Sequence, residues 1–104
     1  MVGNVTLVHN GIIENYSELK SYLIQKGVNF NSQTDTEVAC AYINYVYENM
    51  KDFKDENERK LKSILKACMD FRGSYAFGII FKDTPDVIYS TRKDSPLVIG
   101  LSDE

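Results

Sequence analysis

The feature that most constrains this fold is a change in hydrophobic period near residue 74. Before that point, apolar residues recur at helical intervals in three separate segments. From Ser74 onward, Tyr75, Phe77 and Ile79 alternate with smaller residues, a period of two that is typical of β-strands. A short β-rich stretch, 5–9, precedes the helical segments. We therefore predict a strand, three helices and three strands, which is an α+β fold class.

Capping residues indicate where the helices begin. Asn15 and Glu18 have capping-box spacing, Thr34 and Glu37 repeat it, and Asp55 opens the third segment. The predicted helices are 16–26, 34–50 and 55–72. The predicted strands are 5–9, 74–81, 87–91 and 97–101, with turns at 83–86 and 94–96.

The strands after residue 74 are apolar on both faces, so both faces need cover. The helices can cover one face, and a second sheet would cover the other. Nothing before Val5 could form such a sheet. We therefore expect an exposed apolar face and exposed strand edges, which favour self-association.

Charge and composition exclude several classes of function. The net charge of −3 is spread along 104 residues without a basic block, so neither nucleic acid nor an anionic membrane is an expected partner. No apolar run of about 18 residues and no cleavable leader is present, which favours a cytoplasmic protein. Cys40 and Cys68 lie far apart in helical segments and are expected to be small buried hydrophobes.

Two short motifs allow either a structural or a chemical interpretation. Asn10-Gly11 after a strand is typical of a tight turn, yet an asparagine amide and a glycine N–H can also aim two donors at one oxyanion. Asp35 in the first turn of a helix is typical of a cap, yet it could also hold a substrate ammonium group. Considered separately, each motif favours the structural interpretation.

Read together, four segments resemble the class II glutamine amidotransferase domain of the glutamine:fructose-6-phosphate aminotransferase family, from about Val5 to Leu101. The segments are His-Asn-Gly-Ile-Ile-Glu-Asn at 9–15, Thr-Asp-Thr-Glu at 34–37, Arg-Gly-Ser-Tyr-Ala at 72–76 and Arg-Lys-Asp-Ser-Pro-Leu-Val-Ile-Gly at 92–100. The second and the last are the most specific.

The resemblance implies part of a four-layer αββα N-terminal-nucleophile hydrolase sandwich that hydrolyses the side-chain amide of glutamine. Asn10 (side-chain amide) and Gly11 (backbone N–H) would form the oxyanion hole, and Asp35 with the Gly11 carbonyl would bind the α-ammonium group. The ammonia would pass to a sugar-phosphate isomerase domain of the same enzyme to make glucosamine 6-phosphate. No cofactor or metal is implied, and a homo-oligomer is expected.

The family's nucleophile, a cysteine at the mature N-terminus, is missing, because this chain begins Met1-Val2-Gly3. The family's upstream Arg-Trp-Ala-Thr-His segment is also missing. We therefore interpret 1–104 as a partial domain, inactive in isolation, with a coding region that extends upstream of Met1. The alternative is a non-catalytic module that binds a ligand or a protein. Asp94 stands where the family usually has glycine.

Other catalytic assignments are weaker. A triad of His9 with Ser95 or Cys40 is disfavoured, because a lone histidine at a strand end is usually structural. A metal site formed by Glu14, Asp35 and Glu37 is disfavoured, because the sequence has one histidine and no compact cluster of carboxylates, which is too few ligands. The remaining cations, to which the resemblance gives no role, are Arg72, Arg92 and Lys93.

Overall fold

The computed structural model describes residues 3–30, 34–51, 54–92 and 98–101. Three helices lie between the first strand and the last three strands, as predicted. The elements in chain order are β1 (Val5–Ile13), α1 (Tyr16–Gln25), α2 (Asp35–Asn49), α3 (Glu56–Asp70), β2 (Gly73–Phe81), β3 (Thr84–Arg92) and β4 (Val98–Leu101). The α+β class is confirmed.

The strands form one antiparallel sheet in the order β1-β2-β3-β4. Consecutive strands after residue 73 form the predicted meander, and β1 pairs with β2 along its whole length, from Val5 opposite Phe81 to Ile13 opposite Gly73. β1 and β4 are therefore the edge strands of the sheet.

The core lies between the helices and one face of the sheet. α2 packs on β1, with α1 and α3 beside it. The alternation in β2 directs its large side chains to the helices: Tyr75, Phe77, Ile79 and Phe81 are all buried. Thr34 caps α2 by accepting a hydrogen bond from the Glu37 N–H at 3.3 Å, as the capping spacing predicted.

Three local predictions are wrong. β1 continues through Asn10-Gly11 to Ile13, so this pair is not a turn. Asn15 precedes α1 without a side-chain capping bond, because its amide is used in other hydrogen bonds. The turn between β2 and β3 lies at 82–83 and β3 begins at Thr84, where the pairing of Phe81 with Thr84 closes the hairpin. The predicted turn at 94–96 lies outside the described residues.

The sheet face away from the helices is open among the described residues. On β1, Val8 is 70% exposed and Ile12 is 66% exposed. Ile80 and Ile88 on the neighbouring strands are only half-buried. The strands after residue 74 are therefore not buried on both faces here, and the exposed apolar face expected from the sequence is present. Among the described residues, no helix has the length and apolar character needed to cross a membrane.

A buried lysine joins α3 to the hairpin between β2 and β3. Lys60 Nζ lies 2.8 Å from Asp83 Oδ1 and 3.0 Å from Thr84 Oγ1, and the lysine side chain is 1% exposed. Asp83 is half exposed, so water reaches one member of the pair and not the other. Loss of Asp83 therefore leaves a buried charge, whereas loss of Lys60 leaves a solvated one.

We predict that Asp83→Ala lowers the free energy of unfolding by about 2 kcal/mol and Lys60→Met by less than about 1 kcal/mol. The measurement is urea unfolding followed by circular dichroism. Equal losses for the two variants would contradict the asymmetry.

The same pair gives a pH test. The Lys60 hydrogen bond holds the pKa of Asp83 below its ordinary 3.8. A folded-state pKa below the unfolded value contributes stability above the ordinary pKa, and this contribution is lost as the pH falls through the folded value. The stability difference between the wild type and Asp83→Asn should therefore shrink below about pH 4. A constant difference down to about pH 2 would argue against the ion pair.

We also predict concentration-dependent self-association of the chain through the open face. Val8→Thr with Ile12→Thr should reduce it, because threonine keeps the β-branch and replaces apolar surface with a hydroxyl. Static light scattering over a range of concentrations measures the effect. Ile24→Thr is the matched control, since Ile24 is 53% exposed but lies on α1. A wild-type chain that is monomeric at every concentration rules out this prediction.

Candidate functional site

The backbone at Gly11 is unusual for a strand interior. Its φ is +109°, and a Cβ added there would lie 2.2 Å from the Ser74 carbonyl oxygen. Gly73, near it on β2, has φ +119°, and its added Cβ would lie 2.3 Å from the Ile12 carbonyl oxygen. Glycine is required at both positions because the two strands approach too closely for any side chain.

An open cleft of about 260 Å³ contains the predicted oxyanion pair. Its lining residues are Asn10, Gly11, Ser74, Tyr75, Ala76 and Arg92. Asn10 is exposed, so its amide is accessible to a ligand. Arg92 reaches the cleft because Ala76 pairs with Asn10 on one side and with Arg92 on the other. No role for Arg92 followed from the sequence, and the structure places this residue in the lining of the candidate site. Lys93 lies outside the described residues.

Asp35 lies against the free edge of the same strand. Its Oδ2 accepts a 3.4 Å hydrogen bond from the Ile13 N–H, and its side chain is 28% exposed. Asp35 is also the first residue of α2, where the helix dipole favours negative charge. The carboxylate is therefore held beside β1, two residues beyond Gly11, and remains accessible. Asp35 acts neither as the N-cap, which is Thr34, nor as part of a metal cluster among the described residues.

Asn15 fixes the end of β1 to the junction of α3 and β2. Its Nδ2 donates to the Asp70 carbonyl at 2.7 Å, and its Oδ1 accepts from the Arg72 N–H at 2.9 Å. The Glu14 N–H adds a 2.7 Å bond to the Arg72 carbonyl. These three bonds hold the two close-approach glycines in register.

Neither cysteine is placed to act as a nucleophile. Cys40 is buried in the core, and its Sγ donates to the Val5 carbonyl oxygen at 3.2 Å. Burial raises the pKa of Cys68 to about 11, which keeps the thiol protonated at neutral pH. The prediction that both behave as structural thiols is confirmed for Cys40, and Cys68 is part-buried.

The sequence identifies the family to which this chain belongs. The sequence model of the glutamine amidotransferase domain family matches residues 1–100. The chain belongs to this glutamine amidotransferase family.

Curated relatives extend the comparison to particular enzymes. The chain is 42% identical over 100 residues to glutamine–fructose-6-phosphate aminotransferase (isomerizing) from Clostridium acetobutylicum, a match that covers 96% of this chain and 15% of the relative. It is 43% identical over 101 residues to the enzyme of that name from Methanocaldococcus jannaschii, covering 96% of this chain and 9% of the relative. The chain thus spans about a sixth or less of the length of these relatives.

Solved structures show the same fold at lower sequence identity. The glutamine phosphoribosylpyrophosphate amidotransferase of Bacillus subtilis, complexed with ADP and GMP, matches with a TM-score of 0.59 and 22% identity, covering 88% of this chain and 18% of that one. A structure described as the allosteric regulatory enzyme of purine biosynthesis matches with a TM-score of 0.57 and 23% identity, covering 85% and 16%. The predicted N-terminal-nucleophile hydrolase fold is confirmed, and the described residues form one antiparallel sheet with helices packed on one face.

Sequence reasoning missed the residues that support the site. His9 Nδ1 and Thr36 Oγ1 lie 3.0 Å apart beside Asp35. Asn15 occupies the predicted N-cap position of α1, but its side chain bonds to the junction of α3 and β2 instead of capping the helix. His9 and Thr36 could have been recognised as candidates, because each lies directly beside a predicted site residue in the sequence: His9 precedes Asn10, and Thr36 follows Asp35. The contacts depend on how α2 packs on β1, which one sequence does not reveal.

We predict that Gly11→Ala destabilises the domain by at least about 2 kcal/mol more than Gly27→Ala. Both positions have positive φ, but an added Cβ at Gly27 meets nothing within 4 Å. The difference therefore isolates the clash with the Ser74 carbonyl. Urea unfolding of both variants measures it, and equal losses would show that the close approach of β1 and β2 carries no cost.

Proposed function

We propose that this domain hydrolyses glutamine within a longer aminotransferase that makes glucosamine 6-phosphate from fructose 6-phosphate and glutamine. The observation that carries the proposal is the position of Asn10-Gly11 in an open cleft, with the Asp35 carboxylate at the edge of the same strand. The names of the relatives supply the substrates.

The reaction begins with a thiolate that attacks the amide carbon of the glutamine side chain. A C–S bond forms, and the carbonyl oxygen becomes an oxyanion. As this intermediate collapses, its nitrogen takes up a proton, the C–N bond breaks and ammonia leaves. Water then hydrolyses the thioester, which gives glutamate and restores the thiol. Because Cys40 and Cys68 are unsuited to attack, we assign the thiol to an N-terminal cysteine outside these 104 residues.

Asn10 and Gly11 would stabilise the oxyanion through the side-chain amide and the backbone N–H. Backbone groups in an antiparallel strand alternate between its two edges. The Ile13 N–H and the Val5 carbonyl both point to the free edge of β1, toward α2. The same alternation predicts that Gly11 directs its N–H and C=O to this edge, where a rigid strand holds them for the intermediate.

Asp35 would bind the α-ammonium group of glutamine, with help from the Gly11 carbonyl. A carboxylate accepts strong, charge-assisted hydrogen bonds from an ammonium group, and partial burial reduces competition from water. The ammonia would then pass to the sugar-phosphate isomerase domain of the same longer chain. We also propose that this enzyme is cytoplasmic and homo-oligomeric.

We predict that Asn10→Ala lowers kcat for glutamine hydrolysis by about 100-fold to 1,000-fold, because one oxyanion donor is lost. The host for the test is the C. acetobutylicum relative, with its aligned segment replaced by residues 1–100 of this chain. Asn29→Ala, which removes an exposed amide beyond α1, is the matched control and should leave kcat unchanged. An unchanged kcat in Asn10→Ala would remove Asn10 from the oxyanion hole.

The isolated chain separates this proposal from a non-catalytic binding module. It should release no glutamate from glutamine above background and should bind glutamine too weakly for calorimetry. Glutamate release would refute the assignment of the thiol to another segment. Measurable glutamine binding without turnover would favour a dedicated binding module.

A further inference from the structure

We propose that His9 is a positioning residue that holds Asp35 in place for the substrate's α-ammonium group, an inference that rests on the proposed function. His9 precedes the oxyanion pair on β1, but its side chain points to the opposite face. The imidazole is buried, with its side chain only 3% exposed. Its ring packs on that of Phe77, the residue opposite His9 on β2, with the ring centroids 5.2 Å apart.

The polar side of the ring faces the first turn of α2. His9 Nδ1 lies 3.0 Å from Thr36 Oγ1 and 3.9 Å from Asp35 Oδ1. The other carboxylate oxygen, Oδ2, accepts the Ile13 N–H at 3.4 Å. The ring nitrogen thus binds the residue that follows Asp35 and lies beside one carboxylate oxygen, while a backbone amide of the same strand binds the other oxygen.

These contacts favour one tautomer of the imidazole. A carboxylate oxygen only accepts hydrogen bonds, whereas the threonine hydroxyl can accept or donate. A proton on Nδ1 therefore suits both neighbours, and a lone pair there would face the Asp35 charge. Nε2 is buried and has no hydrogen-bond partner among the described residues. The orientation of the ring is thus fixed by Nδ1 and by packing on Phe77.

A rigid Asp35 matters because a free carboxylate at a helix start can rotate toward water. Binding of the substrate ammonium group would then have to order the Asp35 side chain, and the entropy lost in doing so weakens binding. Asn10 lies on the other face of β1, so loss of the His9 contacts should affect substrate binding more than oxyanion stabilisation. A general loss of structure would affect both.

Two variants separate the role of Nδ1 from packing. His9→Leu fills the space and removes the polar contact. His9→Asn carries an amide Nδ2 to nearly the position of Nδ1 and should restore much of it. Leu7→Ala, two residues earlier on the helix-facing side of β1, is the matched control for a packing loss away from Asp35.

The test compares glutamate with glutarate, the same dicarboxylate without the α-ammonium group, in the chimeric enzyme described above. His9→Leu should raise the Kd for glutamate and the KM for glutamine by about 10-fold. The Kd for glutarate and kcat should stay within about twofold, and His9→Asn should recover most of the loss. Leu7→Ala should shift both ligands equally. Equal losses for the two acids in His9→Leu, or a fall in kcat alone, would overturn the inference.

A second readout on the 104-residue chain keeps this inference separate from the proposed function. His9→Leu should speed hydrogen exchange at the Ile13 amide relative to the global unfolding rate, because that amide is bonded to the Asp35 carboxylate. Unchanged protection of Ile13 overturns the positioning role, whatever the chimera does. If the chimera without substitutions hydrolyses no glutamine, or binds glutamate and glutarate equally, the result counts against the proposed function alone.

Discussion

The pairing of β1 with β2 is the interaction on which the rest of this structure depends. It joins the strand that carries the candidate site to β2, which pairs on its other side with β3. The pairing is close at one end, where Gly11 and Gly73 leave no room for a side chain. Asn15 secures that end with two hydrogen bonds to the junction of α3 and β2. Gly11 and Asn15 belong to the motif that also contains Asn10, and Gly73 directly precedes residues that line the cleft.

The candidate functional groups lie on both faces and on the free edge of β1. Asn10 lies toward the open face and His9 toward the helices, because neighbouring residues of a strand alternate. Asp35 approaches the free edge from α2. The amide of Asn10, the imidazole of His9 and the carboxylate of Asp35 therefore occupy three different sides of one short strand. An edge strand suits this purpose because one row of its backbone groups is not used in the sheet.

Periodicity predicted the order of the elements, because helical and extended segments leave different apolar patterns in a sequence. Thr34 was identified correctly as a cap, since a cap depends on residues three apart. Predictions that depended on distant partners failed: Gly11 was taken for a turn glycine, and Asn15 for a cap. In each case local chemistry allowed the predicted role, and contact with β2 or α3 decided otherwise. The site residues came from motif resemblance, whereas the proximity of Arg92 required the register of three strands.

The register of β1 on β2 also bears on how quickly this domain can reach its native state. Val5 pairs with Phe81, and all three helices lie in the loop that this pairing closes. Contacts between residues so distant in the chain carry a large entropy of loop closure and are associated with slow folding. The helices and the β2–β3 hairpin can form locally, and β1 must then find its place beside them. The strand that presents Asn10 and Gly11 is therefore expected to be among the last parts of the domain to become ordered.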